Sequence, residues 1–387
     1  MEYVKLEEIC TIVSGGTPSR SKPNYWNNGN IPWIKIKDMK SKYIASAEEF
    51  ITEEGLNNSS TKMLKRDTIL YSIFATLGEV GILKIDACTN QAIAGLSLKE
   101  DSNILKEYLY YYLKSKKKDV NNLGRGVAQN NINLSLLRKF RIPVIPLHQQ
   151  EKIIGVLDNV SNTINNYERE IYLLDELVKA RFVEMFGDPV TNPKGWETTS
   201  IGDVCYYIKD GPHKSLPDIG RDNGGHPFIS VRNIVNGYID FSDARYISDE
   251  DYYDSIKKCH PEKGDMLYSK GGTTGIAKLI DIDEPFANWV HVAVLKFDKF
   301  RLNGIFFENM LNGDYCYSQS QRLTKGIANR DLVLSAMAQI KLYCPPLELQ
   351  NQFASFVQEI DKSRSRIQKS LETSQELFDS LMQEYFG

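Results

Sequence analysis

The feature that most constrains what this chain can fold into is a long stretch that it uses twice. The first copy opens Pro146-Leu147-His148-Gln149-Gln150 and closes Glu184-Met185-Phe186-Gly187. The second opens Pro346-Leu347-Glu348-Leu349-Gln350 and closes Glu384-Tyr385-Phe386-Gly387, offset by 200 residues at both ends. Stepping by four and three from residue 153 picks out Ile153, Leu157, Val160, Ile164, Tyr167, Ile171, Leu174 and Val178. That unbroken apolar a/d seam predicts a coiled-coil helix over 147–187. The same steps in the second copy give Phe353, Val357, Ile360, Arg364, Ile367, Leu371, Ser374 and Phe378, a second helix over 347–387 with two polar seam positions. Pairing should rest on Ile153, Leu157, Val160, Ile164, Ile171 and Leu174 of one helix and Val357, Ile360, Ile367 and Leu371 of the other. Arg364 and Ser374 are where register or orientation would be fixed, at some cost in stability.

Sustained repeats imply a repeated architectural unit, and the segments between the helices repeat too. Leu6-Glu7-Glu8-Ile9-Cys10 aligns with Ile201-Gly202-Asp203-Val204-Cys205, and Ile34-Lys35-Ile36-Lys37-Asp38-Met39 with Ile229-Ser230-Val231-Arg232-Asn233-Ile234. Leu70-Tyr71-Ser72 aligns with Leu267-Tyr268-Ser269. The layout is therefore a globular block at 1–146, a helix at 147–187, a second block at 188–346 entered through a turn-rich linker at 188–196, and a helix at 347–387. Alternating stretches such as Ile31-Pro32-Trp33-Ile34-Lys35-Ile36-Lys37 and Pro227-Phe228-Ile229-Ser230-Val231-Arg232 predict strands with one apolar and one basic face. Residues 104–118 and 303–313 predict helices, so each block is α+β. If the second helix runs back antiparallel beside the first, its end lies near Met1 and an approximate two-fold axis relates the halves.

With 387 residues, 25% of them charged and 42% apolar, the chain is of the soluble globular class. It has no apolar run approaching the ~18 residues of a membrane span, and Met1-Glu2-Tyr3-Val4-Lys5 does not open a signal peptide. A cytoplasmic location is expected. Cys10, Cys88, Cys205, Cys259, Cys316 and Cys344 are scattered with no C-x-x-C pair, which favours structural thiols over disulfides or a zinc site.

The net charge of −3 is unevenly spread. Residues 1–146 carry 21 Lys+Arg against 15 Asp+Glu, whereas each helical segment carries 4 against 7 and residues 188–346 carry 18 against 21. The first block suits a polyanion; the second must rely on local basic patches.

No independent catalytic site is legible. The nearest approach to a base-holding methyltransferase motif, Tyr343-Cys344-Pro345-Pro346-Leu347, lacks both flanking residue types. Phosphate loops, nucleophile elbows and H-E-x-x-H are absent. The faint nuclease candidate Asp38-Met39-Lys40 loses its charges in the aligned Asn233-Ile234-Val235. A DNA-modifying enzyme fragment (methyltransferase or nuclease) is the alternative reading, and a coiled-coil adaptor a third.

The glycine loops instead carry residue types that read DNA, since Arg bonds guanine, Asn and Gln bond adenine, and Lys, Ser and Thr hold phosphate. In the first block the candidates are Thr17, Ser19, Arg20 and Lys22 after Gly15-Gly16, Lys35 and Lys37, and Arg125, Gln129 and Asn130 in a second polar loop. In the second block they are His213, Lys214, Arg232, Asn233, Lys270, Thr273, Thr274, Lys325, Asn329 and Arg330. The basic run Lys114-Ser115-Lys116-Lys117-Lys118 fits the solvated end of a helix, where cations suit the dipole.

Two divergent globular blocks, each followed by a helix that opens Pro-Leu-x-x-Gln and ends Phe-Gly, resemble the specificity (S) subunits of type I restriction-modification systems. The resemblance spans essentially the whole chain, and Gly15-Gly16-Thr17-Pro18-Ser19 matches the family's N-terminal turn better than Asp210-Gly211-Pro212-His213-Lys214 does. It implies two target recognition domains, each reading one half of a split, asymmetric site in double-stranded DNA. The antiparallel helices would act as spacers that dock two methyltransferase (modification) subunits, and restriction subunits where present. It implies that this chain binds no cofactor, S-adenosylmethionine and ATP/Mg belonging to the partner subunits.

Overall fold

The computed structural model describes residues 2–124, 132–326 and 330–387. Arg125, Gln129, Asn130 and Asn329 lie outside the described residues. The chain divides into two compact units, Met1–Glu168 with Lys369–Gly387, and Arg169–Gln368. The expected helices run Leu147–Phe186 and Leu347–Phe386. Both pass from one unit into the other.

The first unit is built on a five-stranded sheet ordered Cys10–Ser14, Ile93–Leu98, Ile69–Ser72, Val80–Leu83, Tyr43–Ile44, antiparallel except at the last pair. A three-stranded sheet is ordered Glu49–Ile51, Ile31–Ile34, Cys88–Thr89, with Ile31–Ile34 in the middle, and Glu2–Lys5 pairs with Arg141–Val144. The strand Ile69–Ser72 is buried throughout because both of its faces are covered. Ile69 and Tyr71 join a core with Tyr108, Leu109 and Tyr111 of the helix Lys106–Ser115, while Leu70 joins Ile34, Leu83 and Ile93. A strand covered on both faces reads as a continuous apolar run.

The second unit repeats this plan with other side chains and one strand fewer in its main sheet. Its main sheet is ordered Cys205–Asp210, Val292–Phe297, Met266–Ser269, Ala277–Leu279; its small sheet is Arg245–Ile247, His226–Ile229, Ala287–Asn288; and Thr198–Ser200 pairs with Lys341–Tyr343. The strand Met266–Ser269 again feeds two cores, Met266 and Tyr268 into one and Leu267 into the other.

Each unit holds its own piece of the helix seam. In the first, Ile153, Leu157, Val160 and Ile164 pack in one cluster with Leu371, Phe378, Met382 and Phe386. In the second, Val178 and Phe182 pack with Phe353, Val357 and Ile360, and Ile171, Leu174 and Ile367 are half-buried. Phe182 meets Phe353 while Arg364 bonds Asp175, so numbering rises along one helix as it falls along the other: the pair is antiparallel here.

One local expectation is corrected. The strands stop at Ile34 and Ile229, before the basic residues, and 3-10 turns Ile36–Asp38 and Val231–Asn233 take over. The cause is a side chain three residues on: Asp38 Oδ2 accepts the Lys35 N–H at 2.7 Å, and Asn233 Oδ1 accepts the Ser230 N–H at 2.8 Å. Such Asx-type bonds compete with a strand ladder.

Candidate nucleic-acid interface

In each unit the polar loops converge where the small sheet meets the main sheet. Gly15 and Gly211 hold the same place: a Cβ would lie 2.2 Å from the Asn90 carbonyl in one and 1.7 Å from the Asn288 carbonyl in the other. Only glycine lets these turns sit directly on the neighbouring strand end.

In the first unit this close approach assembles an aromatic and ionic cluster. Trp33 Nε1 donates to the Gly16 carbonyl at 3.0 Å, and Trp26 Nε1 to Ser19 at 3.1 Å. The Arg20 guanidinium lies 3.5 Å from the centroid of the Trp26 ring and donates to Glu49 at 2.5 Å; Lys35 pairs with the other Glu49 oxygen. Partial burial works against ionising Glu49, but the bonds from Lys35 and Arg20 outweigh it and hold its carboxyl below the usual carboxylate range. Thr17 donates to Gln91 Oε1 at 2.5 Å, Lys22 to Tyr25 Oη at 2.9 Å, and Lys37 pairs with Glu48. Ser19 Oγ bonds Ser21 Oγ at 2.8 Å. Six of the candidates are thus each held by a neighbouring side chain of the same unit, and groups held in this way carry a lower ordering cost on binding.

The second unit separates its candidates into two groups. Asn233, Lys270 and Thr274 are buried. Asn233 donates to the Asp240 carbonyl and to Asp243, both at 2.9 Å; Lys270 Nζ meets Asp331 at 2.9 Å and Asp210 at 3.5 Å; Thr274 Oγ1 shares a hydrogen bond with Thr324. These three brace the loops from within. The exposed group comprises His213, Lys214, Arg232, Thr273, Lys325 and Arg330. Lys214 lies 3.6 Å from Asp254, His213 3.7 Å from Asp210, and the Lys325 backbone bridges to Asp331.

Arg232 and Arg330 line one pocket of about 630 Å³ together with Gly271, Gly272, Trp289 and His291. Residue-type reading missed Trp26, Trp33, Gln91, Trp289 and His291, because a single aromatic, Gln or His carries no pattern of its own, whether in a strand, as for Trp33, or in the turns that hold the other four.

Among the described residues no group of three or more His, Cys, Asp or Glu side chains is arranged to hold a metal ion. No helix among them is long and apolar enough to cross a membrane.

Comparison with known proteins gives a consistent result. The model of the type I restriction modification DNA specificity domain matches residues 1–173 and again 193–376. The specificity subunit of the type I restriction enzyme MjaIX of Methanocaldococcus jannaschii is 26% identical over 399 residues, covering 98% of this chain and 90% of its own. The EcoR124I/EcoR124II specificity subunit of Escherichia coli is 33% identical over 172 residues, 43% of this chain and 42% of its own. The crystal structure of the S subunit of a type I system from M. genitalium has the same fold at 16% identity, with a TM-score of 0.57 over 100% of this chain and 96% of that one.

Proposed function

The chain belongs to the type I restriction-modification DNA specificity family, and from that premise we propose that it reads a bipartite, asymmetric site in double-stranded DNA, one half-site per unit. It acts as a DNA-recognition subunit without chemistry of its own and directs partner subunits to the site. Those partners are two methyltransferase subunits, joined by restriction subunits where the system has them. S-adenosylmethionine and ATP with Mg are held by the partners, and the assembly works in the cytoplasm.

The observation that carries this reading is that both units build one loop arrangement on one sheet plan and fill it differently. Arg20, Lys35, Thr17 and Gln91 gather in the first, Arg232, His291 and Arg330 in the second. A shared docking geometry with different donor and acceptor sets is what two dissimilar half-sites require. Phosphate contacts from Lys22, Lys37, Lys214 and Lys325 would fix register without reading sequence. Each long helix has 40 residues, about 60 Å at ~1.5 Å per residue. That exceeds one DNA turn of ~34–36 Å, which supports a spacer role, and joining two weak readers on one scaffold raises affinity through effective concentration.

Methylome sequencing of cells with and without the chain tests the reading: a split motif should appear only when chain and partners are both present. Matched one-heptad insertions in both long helices should change the spacer and leave both half-sites intact. Methyl transfer by the purified chain alone, or an unchanged spacer, counts against it.

A further inference from the structure

The hairpin tips of the two units share a serine hydrogen bond, and among their differences two facing positions exchange side-chain size. Ser72 Oγ accepts the Glu79 N–H at 2.7 Å and Ser269 Oγ the Ile276 N–H at 2.8 Å. The registers Ser72↔Ile93 and Ser269↔Val292 then equate Ala92 with His291, and Phe74 with Gly271. Where the first unit has a large residue on the tip and a small one opposite, the second has the reverse. The glycine is required: a Cβ on Gly271 would lie 2.0 Å from His291 Nδ1. The second unit has thus cleared space for an imidazole at the wall of its loop pocket.

The surroundings indicate what that imidazole meets. Nδ1 of His291 is shut in without a hydrogen-bond partner. The tautomer that avoids a buried, unbonded N–H carries its proton on Nε2, so the pocket wall presents a donor. Trp289 stands beside it, ring centroids 4.9 Å apart at 73°. The Arg330 carbonyl accepts the Gly272 N–H at 3.0 Å, which seats Arg330 on the glycine pair. Arg232 is tethered through Nη2 to the Asp243 carbonyl at 2.6 Å and Arg330 through Nη2 to Gln321, and each guanidinium has further donors to spare. Asp331, the carboxylate on this wall, is bonded by Lys270 at 2.9 Å.

We propose that Arg232, His291 and Arg330 form a donor-lined pocket that takes an acceptor-rich group of the half-site read by the second unit, and that His291 contacts that group. The group is the N7/O6 edge of a guanine or a phosphate oxygen. This rests on the reading of the chain as a DNA-specificity subunit.

The test uses the full chain assembled with its methyltransferase subunits, and a duplex carrying the motif found by methylome sequencing. Binding at fixed salt is measured with 7-deazaguanine at each guanine in turn and with a neutral methylphosphonate at each phosphate in turn. For the guanine source, one 7-deazaguanine costs the wild type about tenfold in affinity and costs His291→Ala nothing further. For the phosphate source, one methylphosphonate behaves in that way and the methylated motif of His291→Ala stays unchanged. Modifications in the other half-site weaken both proteins equally, which shows that the variant is folded. His291→Gln, which returns an N–H donor, keeps the sensitivity that His291→Ala loses. Equal sensitivity of wild type and His291→Ala to every modification overturns the proposal, as does the same loss in the Ala and Gln variants. A wild-type assembly with no sequence preference would instead sink the specificity reading itself.

Discussion

Gln150 and Gln350, both fully buried, make the same three hydrogen bonds in the two units. Gln150 Oε1 accepts the Leu105 N–H at 2.8 Å while Nε2 donates to the Asn103 and Ile145 carbonyls, each at 2.8 Å. Gln350 Oε1 accepts the Asn303 N–H at 2.9 Å while Nε2 donates to Arg301 at 2.9 Å and Pro345 at 2.7 Å. The last residue of each Pro-Leu-x-x-Gln motif therefore fastens the first turn of a long helix to the loop that starts a helix of its globular body. Replacing either Gln with Leu keeps the volume and strands one N–H and two carbonyls away from water. At roughly 1–3 kcal/mol per orphaned group, each variant should lose about 3 kcal/mol or more. Urea unfolding should show a lower midpoint at unchanged slope; a loss under about 1 kcal/mol for both would contradict the staple.

The Phe-Gly ends carry the matching anchor. Phe186 has ring centroids 4.8 Å from Phe306, 4.9 Å from Phe182 and 5.6 Å from Phe353, and Phe386 lies 5.4 Å from Tyr108 and 5.9 Å from Tyr112. Phe186→Ala should cost about 3–5 kcal/mol, as for other truncated core aromatics. Tyr172→Ala, at a position 61% exposed on the same helix, should stay within about 0.5 kcal/mol. Thermal melts of the two variants give the comparison, and similar losses would refute the anchor.

The periodic parts of this architecture were legible from residues alone. Every seam position from Ile153 to Val178 and from Phe353 to Phe378 is buried or half-buried, because a heptad pattern constrains a helix over its whole length. Gln150 and Gln350 stood out as motif residues, yet their partners lie up to 49 residues away in the chain, where no local pattern reaches. The polar loop clusters were legible as residue types, whereas which of their members are buried and which exposed was not. Asn233 and Arg232 are neighbours on one loop, one buried and one exposed, and polarity cannot separate a brace from a reader. Lys35, Lys37 and Lys214 meet Glu49, Glu48 and Asp251, acids brought to them only by the tertiary fold.

Arg364 occupies a seam position and bonds Asp175 on the facing helix as well as Asp361 on its own, the latter at 2.5 Å. Its side chain is 34% exposed and that of Asp175 is 48% exposed, so both ions keep much of their hydration. Arg364→Leu should therefore change stability by no more than about 1 kcal/mol. Raising the salt to ~1 M, where screening acts within about 3 Å, should shrink the difference further. Urea unfolding at both salt levels checks this; a salt-independent loss of several kcal/mol would mean that the pair is far drier than its exposure implies.

The thiols give the sharpest test of packing. Cys10, Cys88, Cys205, Cys259 and Cys316 are buried and free, and Cys344 is half-buried. Burial pushes the thiols of Cys10, Cys205 and Cys316 up to about 12 and that of Cys259 to about 11, and raises Cys88 and Cys344 as well. The thiolate is the reactive form, so at pH 8 the buried sulfurs are protonated as well as hidden. A disulfide-exchange reagent should titrate one thiol, Cys344, in the native chain and all six in denaturant. Raising the pH to 9 should speed Cys344 and leave the other five untouched, because ionisation cannot help where access is closed. If a second thiol reacts below the unfolding midpoint, the unit containing it opens locally, and the cores that hold the two loop clusters in place are looser than their burial indicates.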